Sequence, residues 1–345
     1  MRKIGEKQMK KYDVTALGEL LIDFTENGTS AQGNPIMEAN PGGAPCNVLA
    51  MLGKLGQTTA FIGKVGRDFF GDQLEAAVRE VGIDTLGLKR DPKVHTTLAF
   101  VHTYEDGDRD FSFYRDPGAD MLLSVDDLEE ELLTGCRMFH FGTIPMTHPG
   151  CRQATYTAIR TAKGAGALIS FDPNIREPLW ESMEEAREQT LYGIGQCDIL
   201  KISDNEIVWL TGLADYAAGA AWIKERFPNV ALLLVSAGKE GSYAFTKTES
   251  VFVPAFLQET TIETTGAGDT FCACILHAAL EVCEKAKTPE EKRELLAGLG
   301  KAELAQMLTF ANAAASIVTT RRGSLRVMPE ACEAWALART RSERR

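Results

Sequence analysis

Residues 198–212 read DILKISDNEIVWLTG. The first six are short, apolar and β-branched, as a buried strand is, and DNEIVWLTG after them carries a helix signal. The same strand-then-helix unit recurs on both sides. YDVTAL (12–17), TAFIGKV (59–65), RMFHFG (137–142), ALISFD (167–172) and VALLLVS (230–236) read as further buried strands. PCNVLAMLGKL (45–55), FGDQLEAAVREVG (70–82), GCRQATYTAIRTAKG (150–164), SMEEAREQTLYGI (182–194) and CACILHAALEVC (272–283) read as helices. Such alternation predicts an α/β fold: a doubly wound, mostly parallel sheet with helices on both faces.

Two stretches break the rhythm. ELLIDFTENG (19–28) and TTLAFVHTYEDGDRDFSFYRD (96–116) carry alternating strands, with DGDR (106–109) as a hairpin turn. They predict a small antiparallel β lid, from about 19–40 and 95–116, that needs one face covered by substrate, a partner subunit or both. No repeat or long linker divides the chain. Residues 12–338 therefore read as one domain, with 1–11 and 339–345 as tails.

Composition narrows the function. A chain of 345 residues buries a large core easily. A net charge of −11 argues against a nucleic-acid surface. No run reaches the length of a transmembrane helix, and no apolar segment follows the N-terminal lysines as in a secretory signal. The eight cysteines are scattered without a CxxC pair and the five histidines show no ligand spacing. The cysteines read as small core residues in a reducing, cytoplasmic setting. There is no P-loop, and GKVGRDFFG (63–71) lacks the tight glycine pair of a dinucleotide fingerprint.

In a doubly wound fold, ligands bind beyond the C-terminal ends of the strands. Five polar segments fall there: Asp23, NPGGAPCN (40–47), DPNIR (172–176), SDNE (203–206) and SAGKEG (236–241). Gly42 and Gly43 allow close approach to the backbone, and Asn47 presents an amide that binds a hydroxyl as donor and acceptor. Asp23, in an apolar strand, needs a partner, either a sugar diol or a nearby turn. Arg176 suits a phosphate oxygen or a structural ion pair. Glu206 suits magnesium, directly or through water, or a solvated helix start. Ser236, Gly238 and Gly241 suit a nucleotide or a plain hairpin turn.

The sharpest segment is ETTGAGDTF (263–271), just ahead of a helix. Small residues there leave the backbone N–H groups of Gly266, Ala267 and Gly268 free for an anion, helped by the helix dipole. A pure anion trap would not want Asp269 at its mouth. A phosphoryl-transfer site would, if the aspartate accepts the proton of the attacking hydroxyl. The plain alternative is a helix cap.

GGAPCNVL (42–49), GKVGRDFFG, DPNIR, SDNE, SAGKEG, ETTGAGDTF and FANAAASIVTTRRGS (310–324) stand in the order seen in the PfkB-type, ribokinase-like carbohydrate kinases. The resemblance runs from about Tyr12 to Trp335, and residues 96–120 and 172–180 look most like the fructokinases. It implies the ribokinase-like fold and transfer of the ATP γ-phosphoryl to a sugar hydroxyl with Mg²⁺, here fructose to fructose 6-phosphate. A 2-keto-3-deoxygluconate kinase and a catalytically dead sugar- or nucleotide-binding regulator are the other readings. Asp269 matches the base, Gly266, Ala267 and Gly268 the anion hole, and Arg176 an arginine near the transferred group. Asp23, Gly42, Gly43 and Asn47 match sugar contacts. Ser236, Gly238, Gly241 and Asn312 match nucleotide contacts, and Glu206 matches the metal-associated glutamate. The lid matches one that often pairs between two subunits, so a homodimer is expected. Many members hold a monovalent cation beside the anion hole. Here Glu263 replaces the usual aspartate, and Thr265, Val318, Arg321 and Gly323 would offer carbonyls. The longer Glu263 either crowds out potassium or reaches it from farther away.

Overall fold

The computed structural model describes residues 10–103, 109–323 and 325–342. Its strands are β1 (Tyr12–Leu17), β2 (Leu21–Thr29), β3 (Pro35–Gly42), β4 (Thr59–Gly66), β5 (Asp84–Asp91), β6 (Leu98–Thr103), β7 (Arg109–Tyr114), β8 (Cys136–Phe141), β9 (Leu168–Phe171), β10 (Ile199–Ser203), β11 (Leu232–Ala237), β12 (Gly241–Phe245) and β13 (Ser250–Pro254). Its helices are α1 (Ala44–Lys54), α2 (Phe69–Glu80), α3 (Glu130–Thr134), α4 (Pro149–Gly164), α5 (Met183–Gln196), α6 (Asp204–Thr211), α7 (Tyr216–Arg226), α8 (Ala267–Val282), α9 (Pro289–Ala297), α10 (Lys301–Val318) and α11 (Ala331–Ser342).

Nine strands make the main sheet, in the order β13-β12-β11-β10-β9-β8-β1-β4-β5. All neighbours are parallel except at the β11–β12 and β12–β13 pairs. Side chains alternate between the two faces, and each face is covered. Leu52 of α1, Ile275 of α8 and Leu308 of α10 pack with Val14 and Phe61 on one side. Ile159 of α4, Ile194 of α5 and Ile223 of α7 pack with Phe139 and Phe171 on the other. Burying one such side chain contributes roughly 1.5–3 kcal/mol, which is why these strands read as apolar runs.

The chain leaves β1 toward β4 and β5 on one side and returns to β8 through β13 on the other. The order therefore reverses between β1 and β8, and a crevice opens beyond their C-terminal ends. No helix among the described residues is long and apolar enough to cross a membrane.

The lid is a separate four-stranded sheet in the order β3-β2-β6-β7. It differs from the antiparallel expectation at its centre: β2 and β6 run parallel, because α1, β4, α2 and β5 intervene between them. The other two pairs are antiparallel. Most of the expected DGDR turn lies outside the described residues. One lid face packs on α2 through Phe24, whose ring lies edge-on to Phe70 at 5.7 Å and stacks on Phe100 at 4.9 Å. Ile36 and Tyr114 of the lid are exposed.

Candidate active site

Where the two sheets meet, a cleft of about 350 Å³ is lined by Asp23 of the lid, Gly43 and Asn47 at the start of α1, Arg176, Lys201 and Asp269. The α1 end of this wall is built from tight backbone packing. Gly43 sits at φ 130 ahead of the helix, and a Cβ there would lie 2.5 Å from the Glu19 carbonyl oxygen. No side chain of α1's own N-cap satisfies the first turn. Glu19 does it from the loop after β1, its Oε1 accepting the Ala44 N–H at 2.9 Å. Gly42 answers to Asp23: a Cβ at Gly42 would lie 2.0 Å from Asp23 Oδ2.

The opposite wall is the N-terminus of α8. Gly266 caps it in the left-handed conformation, φ 78, which glycine adopts without strain. Gly266 and Gly268 line the cleft. Ala267 departs from the expected anion hole, because its N–H turns back to the Thr264 carbonyl at 3.3 Å and closes the turn. Asp269 follows in the first helical turn, where its N–H has no intrahelical acceptor. Asn47 Nδ2 donates to Asp269 Oδ2 at 2.8 Å. Burial raises the Asp269 pKa, opposed by the Asn47 bond and by the charges of Lys201 and Arg176.

Lys201 and Asp172 form a buried ion pair, Nζ to Oδ2 2.9 Å, directly beneath this helix start. A Cβ at Gly268 would come within 3.4 Å of Lys201 Nζ, so only a glycine's width separates the ammonium from the α8 amides. Burial works against the Lys201 charge, but Asp172 and Glu206 outweigh it and hold its pKa above the usual value. Beside them, Glu19 is pushed up to about 7 by burial and by Asp120, against the pull of the Ala44 bond and Arg176. His140 is driven down to about 3 by burial and Lys201, and is neutral. Glu19, Lys201 and Asn174, which all line the cleft, are absent from the residues singled out in the sequence. Each left a trace: two charges inside apolar strand runs, and Asn174 inside DPNIR, where it takes a positive φ of 48.

The remaining expected residues lie differently. Glu206 is a capping residue: Oε2 accepts the Ser203 N–H and hydroxyl at 2.8 Å each, and Oε1 accepts the Ile175 N–H at 2.8 Å. It ties the Arg176 loop to α6. Ser236 is the penultimate residue of β11, with Gly238 (φ 50) in open space just past the strand's end. Gly241 is explained by packing, since a Cβ would lie 2.2 Å from the Val253 carbonyl oxygen. Asn312 is buried, accepting from Ser242 Oγ at 2.9 Å and donating to the Val253 and Pro254 carbonyls at 3.0 and 3.3 Å. Gly241 lets β12 and β13 pack closely, and Asn312 holds that hairpin against α10. On the expected cation site, Glu263 Oε2 accepts the Gly323 N–H at 3.2 Å and the Val318 carbonyl accepts the Arg321 N–H at 3.0 Å. Thr265 lines the cleft.

Residues 11–331 match the pfkB family of carbohydrate kinases. The chain is 40% identical over 322 residues to fructokinase-1 of Zea mays, covering 93% of this chain and 95% of that one. Its fold superposes on a fructokinase of Xylella fastidiosa solved with bound ATP, with a TM-score of 0.84 and 29% identity, covering 97% of this chain and all of the other. A double-mutant fructokinase of Vibrio cholerae, solved with fructose, ADP and a potassium ion, superposes with a TM-score of 0.79 at 25% identity, over 96% and 100% of the two chains. An aspartate at a glycine-rich helix start, a sugar-sized cleft under a β lid and a family match over almost the whole length agree: the chain belongs to the pfkB carbohydrate kinase family.

Proposed function

We propose that the protein phosphorylates D-fructose to fructose 6-phosphate with ATP. The observation that carries the chemistry is Asp269, held by Asn47 in the mouth of the α8 amide terminus with Lys201 and Arg176 beside it. The choice of fructose rests on the fructokinase relatives. The sugar hydroxyl oxygen attacks the γ-phosphorus, its proton passes to Asp269, the bond from that phosphorus to the β-phosphate oxygen breaks, and ADP leaves. A general base supplies ~10²–10⁴-fold in rate. The α8 amides, Lys201 and Arg176 face the charge on the transferred group. Asp23, Gly42, Gly43 and Asn47 form the sugar wall. Ser236 and Gly238 face the nucleotide, with Gly241 and Asn312 shaping that side from behind.

Magnesium bound with the nucleotide would neutralise phosphate charge. Glu206 would meet it through water, because both its oxygens already carry protein hydrogen bonds. At the expected monovalent-cation site the Glu263 carboxylate braces Gly323 directly, an arrangement that favours a brace in place of the ion. The exposed Ile36 and Tyr114 support a homodimer through the lid, which sedimentation at micromolar concentration tests. Eight free cysteines, seven of them buried, support a cytoplasmic setting.

The test is ADP release over a panel of sugars including fructose and 2-keto-3-deoxygluconate, in parallel with Asp269→Asn. Fructose should turn over fastest, and the variant should lose ~10²–10⁴-fold in kcat. ATP turnover that ignores every sugar, or a fully active Asp269→Asn, would sink the proposal.

A further inference from the structure

Asn47 occupies an unusual position for a residue that only reads sugar. It is 3% exposed, and its amide nitrogen is engaged by Asp269 at 2.8 Å. A carboxylate only accepts hydrogen bonds, so the NH₂ end of the amide must face Asp269. The other end, Oδ1, is buried and has no partner in the protein. The helix start that carries Asn47 is itself fixed, by the Gly43 conformation and by the bond from Ala44 N–H to Glu19. Asn47 also lines the cleft, so the residue stands between the base and the cleft with its Nδ2 end on the base.

We infer that Asn47 is a positioning residue for the base: its N–H holds Asp269 Oδ2, so that the second carboxylate oxygen is presented to the reacting hydroxyl, while Oδ1 receives a hydrogen bond from the sugar. This rests on Asp269 as the base. One amide then links arrival of the sugar to alignment of the carboxylate. The other titratable and charged groups around Asp269 are Lys201 from β10, Arg176 from the loop after β9, Asp172 just after β9, Glu19 after β1, Asp23 of β2, the neutral His140 of β8 and Cys272 of α8 itself. Lys201, Arg176 and the Asn47 bond favour the carboxylate, and burial opposes it. Removing the Asn47 bond therefore raises the Asp269 pKa, and the acidic limb of kcat/KM moves to higher pH.

The experiment compares Asn47→Ser and Asn47→Asp with wild type in pH profiles of kcat and kcat/KM for fructose, with thermal melts as a folding check. Asn47→Ser is expected to lower kcat roughly 10- to 150-fold, the worth of a hydrogen bond to a charged group, and to shift the acidic limb upward. Asn47→Asp, which is isosteric and carries the test alone if the serine variant does not fold, should shift it further, because two touching carboxylates compete for one proton. In an Asp269→Ala background, Asn47→Ser should add less than about 2-fold, since residues acting as one unit are not additive. A rise in fructose KM with kcat and the acidic limb unchanged would overturn the proposal, as would full additivity in the double variant. Undiminished turnover by Asp269→Ala alone would instead remove Asp269 as the base.

Discussion

Lys201→Met asks what the buried ion pair does. The Lys201 and Asp172 side chains are 9% and 5% exposed and lie 2.9 Å apart. Removing only the cation leaves the Asp172 carboxyl without its partner in the interior. Breaking a buried pair from one side costs about 3–5 kcal/mol. Unfolding entropy of ~2.1 cal/mol/K per residue gives about 0.7 kcal/mol/K for this chain length, so the melting temperature should fall by about 4–7 °C. Replacing both partners with apolar groups removes the orphaned charge, and such replacements are often neutral or stabilising. Lys201→Met/Asp172→Leu should therefore melt within about 2 °C of wild type, since its ΔΔG is expected near zero.

Activity separates the two roles of Lys201. If the ammonium also stabilises charge on the transferred phosphoryl, the double variant will be folded but slow, by about 10²–10³-fold in kcat, as when one electrostatic donor is lost. Scanning calorimetry and a coupled ADP assay read the two quantities on the same samples. An unchanged melting temperature in Lys201→Met would refute the stability argument. A double variant as unstable as the single would refute it too, because the damage would then not come from an orphaned carboxyl.

Gly42→Ala should push Asp23 off its seat, because the new Cβ would lie 2.0 Å from Oδ2. Fructose KM should rise roughly 10- to 150-fold if a charge-assisted bond to the sugar is lost, with ATP KM nearly unchanged. An unaltered fructose KM would mean that Asp23 does not hold sugar. For Glu263, turnover titrated with KCl at constant ionic strength should be flat. Glu263→Asp, one methylene shorter, should release Gly323 and create potassium activation; a wild-type enzyme that needs potassium would show the brace to be incidental.

Most of the main sheet was legible because its strands are apolar enough to be buried on both faces, and helices α1, α2, α4, α5 and α8 because their periodicity survives, whereas α10, 18 residues long, was not read as a helix. The edge strands β5 and β13 were not, since DTLGLKRD and SVFVP lack that signature. The lid's parallel β2–β6 pair follows from a crossover that no local pattern encodes. Lys201 stands in plain view in DILKIS, and a charge between Leu200 and Ile202 demands a partner. That partner is 29 residues away, and only the β9–β10 register, with Leu200 beside Phe171, brings the two together. Asn312 and Gly241 show the opposite case: motif residues legible by resemblance, of which the Asn312 amide and the close backbone packing at Gly241 serve the β12–β13 hairpin.

The attachment of the lid bears on how the cleft works. A cover that only shielded substrate could be joined anywhere. This one is tied at Arg115, just after β7, which donates to Asp120 at 2.7 Å, to the Thr147 hydroxyl at 2.9 Å and to the Ile144 carbonyl at 3.4 Å. Thr97, ahead of β6, donates to the same Asp120. β7 is thus anchored directly to the loop after β8, at the point where the sheet order reverses, and β6 joins it through Asp120. Ile144 of that loop and Phe113 of β7 line the cleft together with Asp23 of β2 and Asp269 of α8. A sugar in the cleft therefore touches lid and body at once, and its binding energy falls on the same elements that present the base. Water displaced by that contact strengthens the pull of Lys201 and Arg176 on the transferred charge, since opposite charges attract more strongly as the local dielectric falls. On the proposed function, sugar binding and organisation of the phosphoryl site would be one event, which would favour the sugar hydroxyl over water as acceptor.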